Sequence, residues 1–492
     1  ASQKGDTVSY NADAFKVAND ADVEGLLKKM PGIQVSGGQV TAQGEAIQKI
    51  FVDGKEFFGD DVATAISTLP AQSIQSIEVF NKLSDQAEFS GRDDGDSYKA
   101  LNLITRSGMR QGVFGKVYGG YGYQPETDRV TDHNKYMIGG NVNIFNGESR
   151  TTVTGLLNNI NQQNFSFEDI LGIDGDGGGG MRRPQRGLAN VGSIGLNYSD
   201  SWGEREKVKL QASYFYNQTR TRNLSELIKW YEAPLEELGT LEQEGHSDNR
   251  NYNHRLNARL DWRISDKQSL MSRTNLSFQQ HDPFSRTDGL QIGPDPENPD
   301  NLYDIIRSGS DGDNGGYNFS EFLQYRVNLG KVGRTITVDG RYALRNTIKS
   351  NTNSFSTLAT DYLAEQPILR YVSSLAPQGE TDIRANVTYT EPLSKTSQLS
   401  LQYRFDLEDQ QIEKTAYITG EDYNIAGLQP DASLSSLTNS LSMEHRVGPG
   451  YRYAKGKNTV VANVYYQHSI LDGMVKGKNI KRDFDHVTYF LM

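Results

Sequence analysis

Apolar and polar residues alternate one by one through most of the chain. In residues 252–264, Tyr252, His254, Leu256, Ala258, Leu260, Trp262 and Ile264 occupy one side of an extended strand. Asn253, Arg255, Asn257, Arg259, Asp261 and Arg263 occupy the other. The same period of two sets Val208, Leu210, Ala212, Tyr214 and Tyr216 against Lys207, Lys209, Gln211, Ser213 and Asn217. It recurs for Ile336–Leu344, Leu399–Phe405 and Val460–Tyr466. About fourteen such segments follow one another, near 112–123, 134–145, 149–160, 188–200, 205–218, 250–265, 268–280, 317–329, 333–347, 381–392, 396–407, 434–447, 456–469 and 483–492.

Strand length narrows the fold. Soluble strands average about five or six residues, whereas a tilted strand crossing a bilayer needs about 9–11. Short turns, NGES at 146–149 and SDKQ at 265–268, alternate with long polar stretches at 161–187, 219–249, 281–316, 348–380 and 408–433, which read as loops. Short turns at one rim and long loops at the other are the pattern of an antiparallel all-β transmembrane barrel. A propeller or an array of sandwiches also supplies many strands. No repeat of 40–50 residues is visible to favour a propeller.

The first 110 residues have a different texture, that of a small mixed α/β domain. TVSYNADAFKV (7–17) reads as extended. A helix follows, capped by Asn19 or Asp20, with Asp22 and Glu24 in its first turn, a stripe of Val23, Leu26, Leu27 and Met30, and a stop at Pro31-Gly32. Gly37-Gly38 turns one hairpin and Asp53-Gly54 another. A second helix is capped at Asp60 or Asp61 and closed by Pro70. SIQSIEVF reads as a strand of imperfect alternation, and YKALNLITRSG as the last strand. Pattern alone is equally served by a soluble α/β domain.

Composition changes the picture in three places. Mean hydropathy is -0.64, and no run approaches 18 apolar residues, so no transmembrane helix is encoded. A barrel tolerates such an average because only one face of each strand meets lipid. The net charge of -11 argues against a nucleic-acid partner. With 0 cysteines, a disulfide framework and a thiolate metal site are both excluded.

Candidate chemistry is sparse, and no catalytic, cofactor-binding or metal-ligating residue is assigned. Asp53 and Gly54 read as a turn rather than a catalytic acid. GIDGDGGGG (172–180) and SGSDGDNGG (308–316) are acidic surface loops without the spacing or closing glutamate of a calcium loop. His133, His246, His254 and His281 show no ligand spacing, and His254, alternating with apolar residues, fits a membrane rim or a packed position. Ser84 is followed three residues on by Ala87 and starts no SxxK motif; GxSxG and a phosphate loop are absent too, so an enzyme is not expected. Arg182, Arg183, Arg186, Arg220 and Arg222 lie in or beside long loops, where they are solvated or touch anionic lipopolysaccharide or a ligand.

The motifs GDTVSYNADAFKV (5–17), LLKKMPGIQV (26–35), IFVDGKEFFGDD (50–61), LPAQSIQSIEVFNKLSDQAEFSG (69–91), LNLITRSG (101–108) and NQQNFSF (161–167) occur in that order. With them the chain resembles the TonB-dependent receptor-like outer-membrane β-barrel proteins of Bacteroidetes. The resemblance implies a plug at 1–110 inside a barrel from 111 to 492. It also implies about 22 strands in the complete barrel, of which about fourteen are present here. A TonB box is not assignable in residues 1–6, and the upstream periplasmic module frequent in that group does not precede the plug. The start at Ala1 fits a mature or trimmed chain. DHVTYFLM (485–492) reads as an entering strand, so more strands are expected after Met492. Fourteen strands also leave a narrow lumen for a plug of this size.

The function implied is TonB-dependent transport of a specific solute in the outer membrane. The alternative is a non-transporting structural or assembly subunit that keeps the receptor fold. Expected partners are outer-membrane lipid and lipopolysaccharide, TonB acting through an upstream segment, and surface or periplasmic lipoproteins.

Overall fold

The computed structural model describes residues 2–4, 7–18, 21–36, 39–59, 61–83, 97–109, 111–125, 133–161, 187–232, 239–292, 303–359, 368–455, 458–475 and 478–491. Expectations for Asn19, Asp20, Gly37, Gly38, Asp60, Ser84, Ala87, residues 172–180, Arg182, Arg183 and Arg186 fall outside these residues.

The N-terminal region contains β1 (Ser2–Lys4), β2 (Thr7–Asn11), α1 (Val23–Leu27), β3 (Ile33–Ser36), β4 (Gln39–Ala42), β5 (Glu45–Ala46), β6 (Lys49–Val52), β7 (Lys55–Glu56), α2 (Val62–Thr68), β8 (Ile74–Leu83) and β9 (Ser97–Thr105). Six strands form one sheet in the order β1-β2-β8-β9-β6-β7, and β3-β4-β5 form a second. The expected extended segment at 7–17 is half right: after Asn11 the chain makes a 3-10 turn, Ala12–Ala14, capped by the Asn11 side chain. The first helix starts later than the sequence suggests. Asp22 is its cap and accepts from Gly25 N at 3.0 Å, rather than lying within the first turn. Asp61 caps α2 by accepting from Thr64 N.

The imperfect alternation of SIQSIEVF has a local cause. The β8–β9 register shifts between Ile74 and Ser76, a bulge at Gln75 that turns Ile74 inward with Ile77 and Val79. These three pack with Leu26, Leu27, Ile50, Phe57, Phe58, Ile66, Leu69, Leu101 and Leu103 in one apolar core.

The remainder is one antiparallel sheet of 14 strands in sequence order: β10 (Gln111–Tyr123), β11 (Asn134–Asn146), β12 (Ser149–Asn158), β13 (Leu188–Trp202), β14 (Val208–Trp230), β15 (Thr240–Ser265), β16 (Gln268–Ile292), β17 (Tyr303–Asn328), β18 (Thr335–Ala359), β19 (Ile368–Pro392), β20 (Ser397–Thr419), β21 (Ser436–Lys455), β22 (Asn458–Val475) and β23 (Lys478–Leu491). Each matches one of the segments read from alternation. Most of the stretches taken as long loops are corrected: 219–230, 240–249, 281–292, 303–316, 348–359, 368–380 and 408–419 are paired strand. Arg220 and Arg222 therefore lie in β14, and residues 308–316 lie in β17 rather than in a surface loop.

The reason is physical. At 26 residues, β15 is about 85 Å long, far beyond the ~30 Å of a hydrocarbon core. Above the apolar span the outward face turns polar as well, as in Glu242, Glu244, His246, Asp248 and Arg250, so the pairing continues while the alternation fades.

Outward and inward faces differ in kind. Outward residues are large and apolar, among them Ile194, Leu323, Leu401 and Val464. Trp202, Trp262, Tyr325, Tyr389 and Tyr451 flank this band near the short turns; Tyr216, Phe278, Tyr317 and Tyr466 flank it about ten residues further along. Inward residues such as Asn143, Thr152, Asn197, Ser213 and Asn253 are polar and buried.

Candidate functional site between the N-terminal region and the sheet

The Asp53-Gly54 turn is where the N-terminal region meets the sheet. Both residues have positive φ, +47° and +81°, which the hairpin β6–β7 requires of so short a loop. This frees the Asp53 side chain to point out of the turn. Its Oδ1 accepts from Thr105 N at 2.8 Å, and its Oδ2 accepts from Thr105 Oγ1 at 2.6 Å. Arg150 of β12 donates from Nη2 to the same Oδ2 at 2.9 Å and from Nη1 to the Val52 carbonyl. The Arg150 guanidinium also lies 5.1 Å from the centre of the Phe145 ring. Both partners are nearly fully buried, at 6% and 11% exposure, so each charge depends on the other.

Further contacts surround this pair. Lys55 reaches Glu148 in the β11–β12 turn at 2.7 Å and donates to Ser201 Oγ at 3.3 Å. The Lys55 hydrogen bond, and then its charge, hold the Glu148 carboxyl below the ordinary carboxylate range. Phe58 N donates to Asn197 Oδ1 at 3.1 Å, while the Phe58 ring sits 5.5 Å from Phe215. Phe145 and Phe215 join the core of the N-terminal region, so the apolar cluster crosses onto the sheet. Lys116 of β10 lies 3.7 Å from Asp22, the cap of α1.

A cleft of about 300 Å³ remains between Phe51, Glu56, Lys82 and Tyr98 on one side and Lys207, Lys209, Arg259, Asp261, Arg263 and Arg326 on the other. Its basic side chains outnumber its acidic ones, although Arg259 is paired with Asp261 at 2.7 Å. Further round the inward face, carboxylate oxygens of Glu380, Asp382 and Glu408 lie within 4.8 Å of one another. Arg341 and Arg384 line the same pocket, and Arg345 is 3.7 Å from Glu380, so the trio is balanced by neighbouring cations.

The residues singled out in the sequence are dispersed. His254 faces outward against Tyr214, Tyr216 and Phe278, with its Nδ1 2.8 Å from Tyr214 Oη. His281 faces inward and is buried, and His246 stacks edge-on against Phe284. His133 lies beside Tyr123. Arg220 forms a bidentate pair with Asp248. Asp53 was legible only as a turn residue; Arg150, its partner 97 positions on, carried no signal of its own.

No protein-family model and no curated protein matches the chain. Solved structures similar to it include the siderophore receptor PiuA from Acinetobacter baumannii, at 13% identity over 94% of this chain and 74% of that one, with a TM-score of 0.32. The ferric yersiniabactin uptake receptor FyuA from Yersinia pestis is 12% identical over 99% and 79%, with a TM-score of 0.30. The ferric-catecholate import receptor Fiu from E. coli K12 is 9% identical over 99% and 95%, with a TM-score of 0.26.

Proposed function

We propose that residues 111–492, with their fourteen strands, are part of a closed outer-membrane barrel, with residues 1–110 as a plug, and that it imports a specific solute with energy delivered through TonB. The observation that carries this reading is the division of the sheet. An apolar outward band flanked by aromatic residues opposes a polar inward face on which the N-terminal region is pinned by Asp53–Arg150 and Lys55–Glu148. A soluble sheet has no use for that band; a bilayer requires it.

Among the described residues β10 pairs only with β11 and β23 only with β22. Unpaired backbone groups in hydrocarbon cost several kcal/mol each. The reading therefore includes further strands between β23 and β10, toward the ~22 of plugged transporters. Lipid and lipopolysaccharide are the surroundings this assigns to the outward face and its upper rim.

A second reading, a platform for lipoproteins or other envelope proteins, is favoured by the 23–26-residue strands, which raise a wall well beyond the bilayer. Comparison of spent medium from wild-type and deletion strains separates the two. Transport predicts a solute depleted by the wild type and left by the deletion strain. A platform predicts no such solute and a stoichiometric complex with envelope proteins.

A further inference from the structure

One ionisable side chain sits where the outward band is otherwise uncharged. Glu321 lies near the middle of the membrane-facing part of β17, on the same face as Leu323 and Tyr317. Among the described residues the nearest other outward acids lie at the margins of the band: Asp200 and Glu391 at the ends of β13 and β19, and Asp485 of β23 beside Tyr466, whose Oη donates to it at 2.7 Å. Ser272 Oγ donates to Glu321 Oε1 at 2.6 Å, and Thr274 Oγ1 donates to Oε2 at 2.5 Å. Among the described residues no cation reaches this carboxylate. Its lateral neighbours on the outward face are Thr274 and Tyr342, with Ala258 beyond Thr274.

Two hydroxyl donors orient the carboxylate but leave its charge uncompensated. Facing acyl chains, such a group is costly. Lipid headgroups lie at the rims and cannot reach mid-height. Ala258 and Gly340, small residues on the same face, leave room for another chain to approach.

We propose that the Ser272–Thr274–Glu321 patch is a docking point for a second membrane-embedded protein, which presents a lysine or arginine side chain at mid-height to Glu321. The inference rests on the membrane-barrel reading. Charge complementarity selects the occupant: a lysine or arginine side chain satisfies both the charge and the remaining lone pairs in a medium without water.

The test places a photocrosslinking residue at Leu323, beside the patch, and separately at Leu401, on the same face but on β20, in full-length protein in native membranes. The expected result is a discrete adduct from position 323 with another integral membrane protein. That adduct falls about tenfold in Glu321→Gln, and a lysine or arginine in the captured segment, when changed to glutamate, restores it in Glu321→Lys. Position 401 gives lipid adducts. Lipid adducts alone at 323, an adduct with a second copy of this chain, or a protein adduct indifferent to Glu321→Gln overturns the docking point while leaving the barrel reading intact. Absence of lipid adducts at both positions, with both open to a water-soluble reagent, overturns the barrel reading itself.

Discussion

Arg150 on the sheet and Asp53 in the β6–β7 turn are joined through Nη2 and Oδ2 at 2.9 Å, and both are buried. The pair ties two parts of the chain that are far apart in sequence, at the rim where the short turns lie. Removing one member leaves the other charged and desolvated, which costs about 3–5 kcal/mol at a buried pair. Arg150→Ala is therefore expected to loosen the N-terminal region and speed its proteolysis in detergent-solubilised protein. Asp53→Asn keeps one acceptor oxygen, enough for Thr105 N or Arg150 Nη2 but not both, and leaves Arg150 without its counter-charge, so it should loosen the region as well. Equal protection from protease in Arg150→Ala and wild type would contradict this.

The neighbouring Lys55–Glu148 pair supplies a pH dependence. The folded state holds the Glu148 carboxyl below its unfolded value. Its contribution is thus complete above the ordinary carboxylate range and is lost as pH falls through the depressed folded value. Glu148 is largely exposed, so the contribution is about 0–1 kcal/mol and weakens with salt. Hydrogen exchange in the 146–149 turn should stay constant from neutral pH into mild acid, after correction for intrinsic rates, and rise only at lower pH. Glu148→Gln should remove that rise.

Gly448 lies on β21 close against the backbone of β22. A Cβ there would collide with the Val464 carbonyl oxygen, and Pro449 beside it has no N–H to donate. Gly448→Ala is expected to force the two strands apart at a cost of about 1–3 kcal/mol. Heat-modifiability on gels, which separates folded from unfolded barrel, should show a lower transition temperature. Gly379→Ala, where a Cβ meets nothing, is the matched control.

The strands and their order were legible because one wet and one apolar face impose a period of two, as at Tyr252–Ile264. Where both faces are wet, as at Glu242–Arg250, the hydrogen-bond ladder persists without that signal, and the pattern there is that of a loop. The bulge at Gln75 and the later start of α1 are backbone events that leave the composition unchanged. Asp53 could be placed in a turn by its glycine neighbour. Its pairing with Arg150 depends on how two separately folded pieces meet, which no local pattern records. Glu321 was visible as a residue, but its significance depends on knowing that it shares a face with Leu323.

The division of the sheet into a lipid face and a wet face is tested most directly by single-cysteine scanning of β20, residues 398–405, in the outer membrane. The chain has 0 cysteines, so each introduced thiol reports alone. The account predicts that thiols at Leu399, Leu401, Tyr403 and Phe405 resist a membrane-impermeant maleimide, and that labels placed there are quenched by brominated lipid. Thiols at Gln398, Ser400, Gln402 and Arg404 should react and escape quenching. Equal labelling at both sets of positions, with no lipid quenching at either, would contradict it.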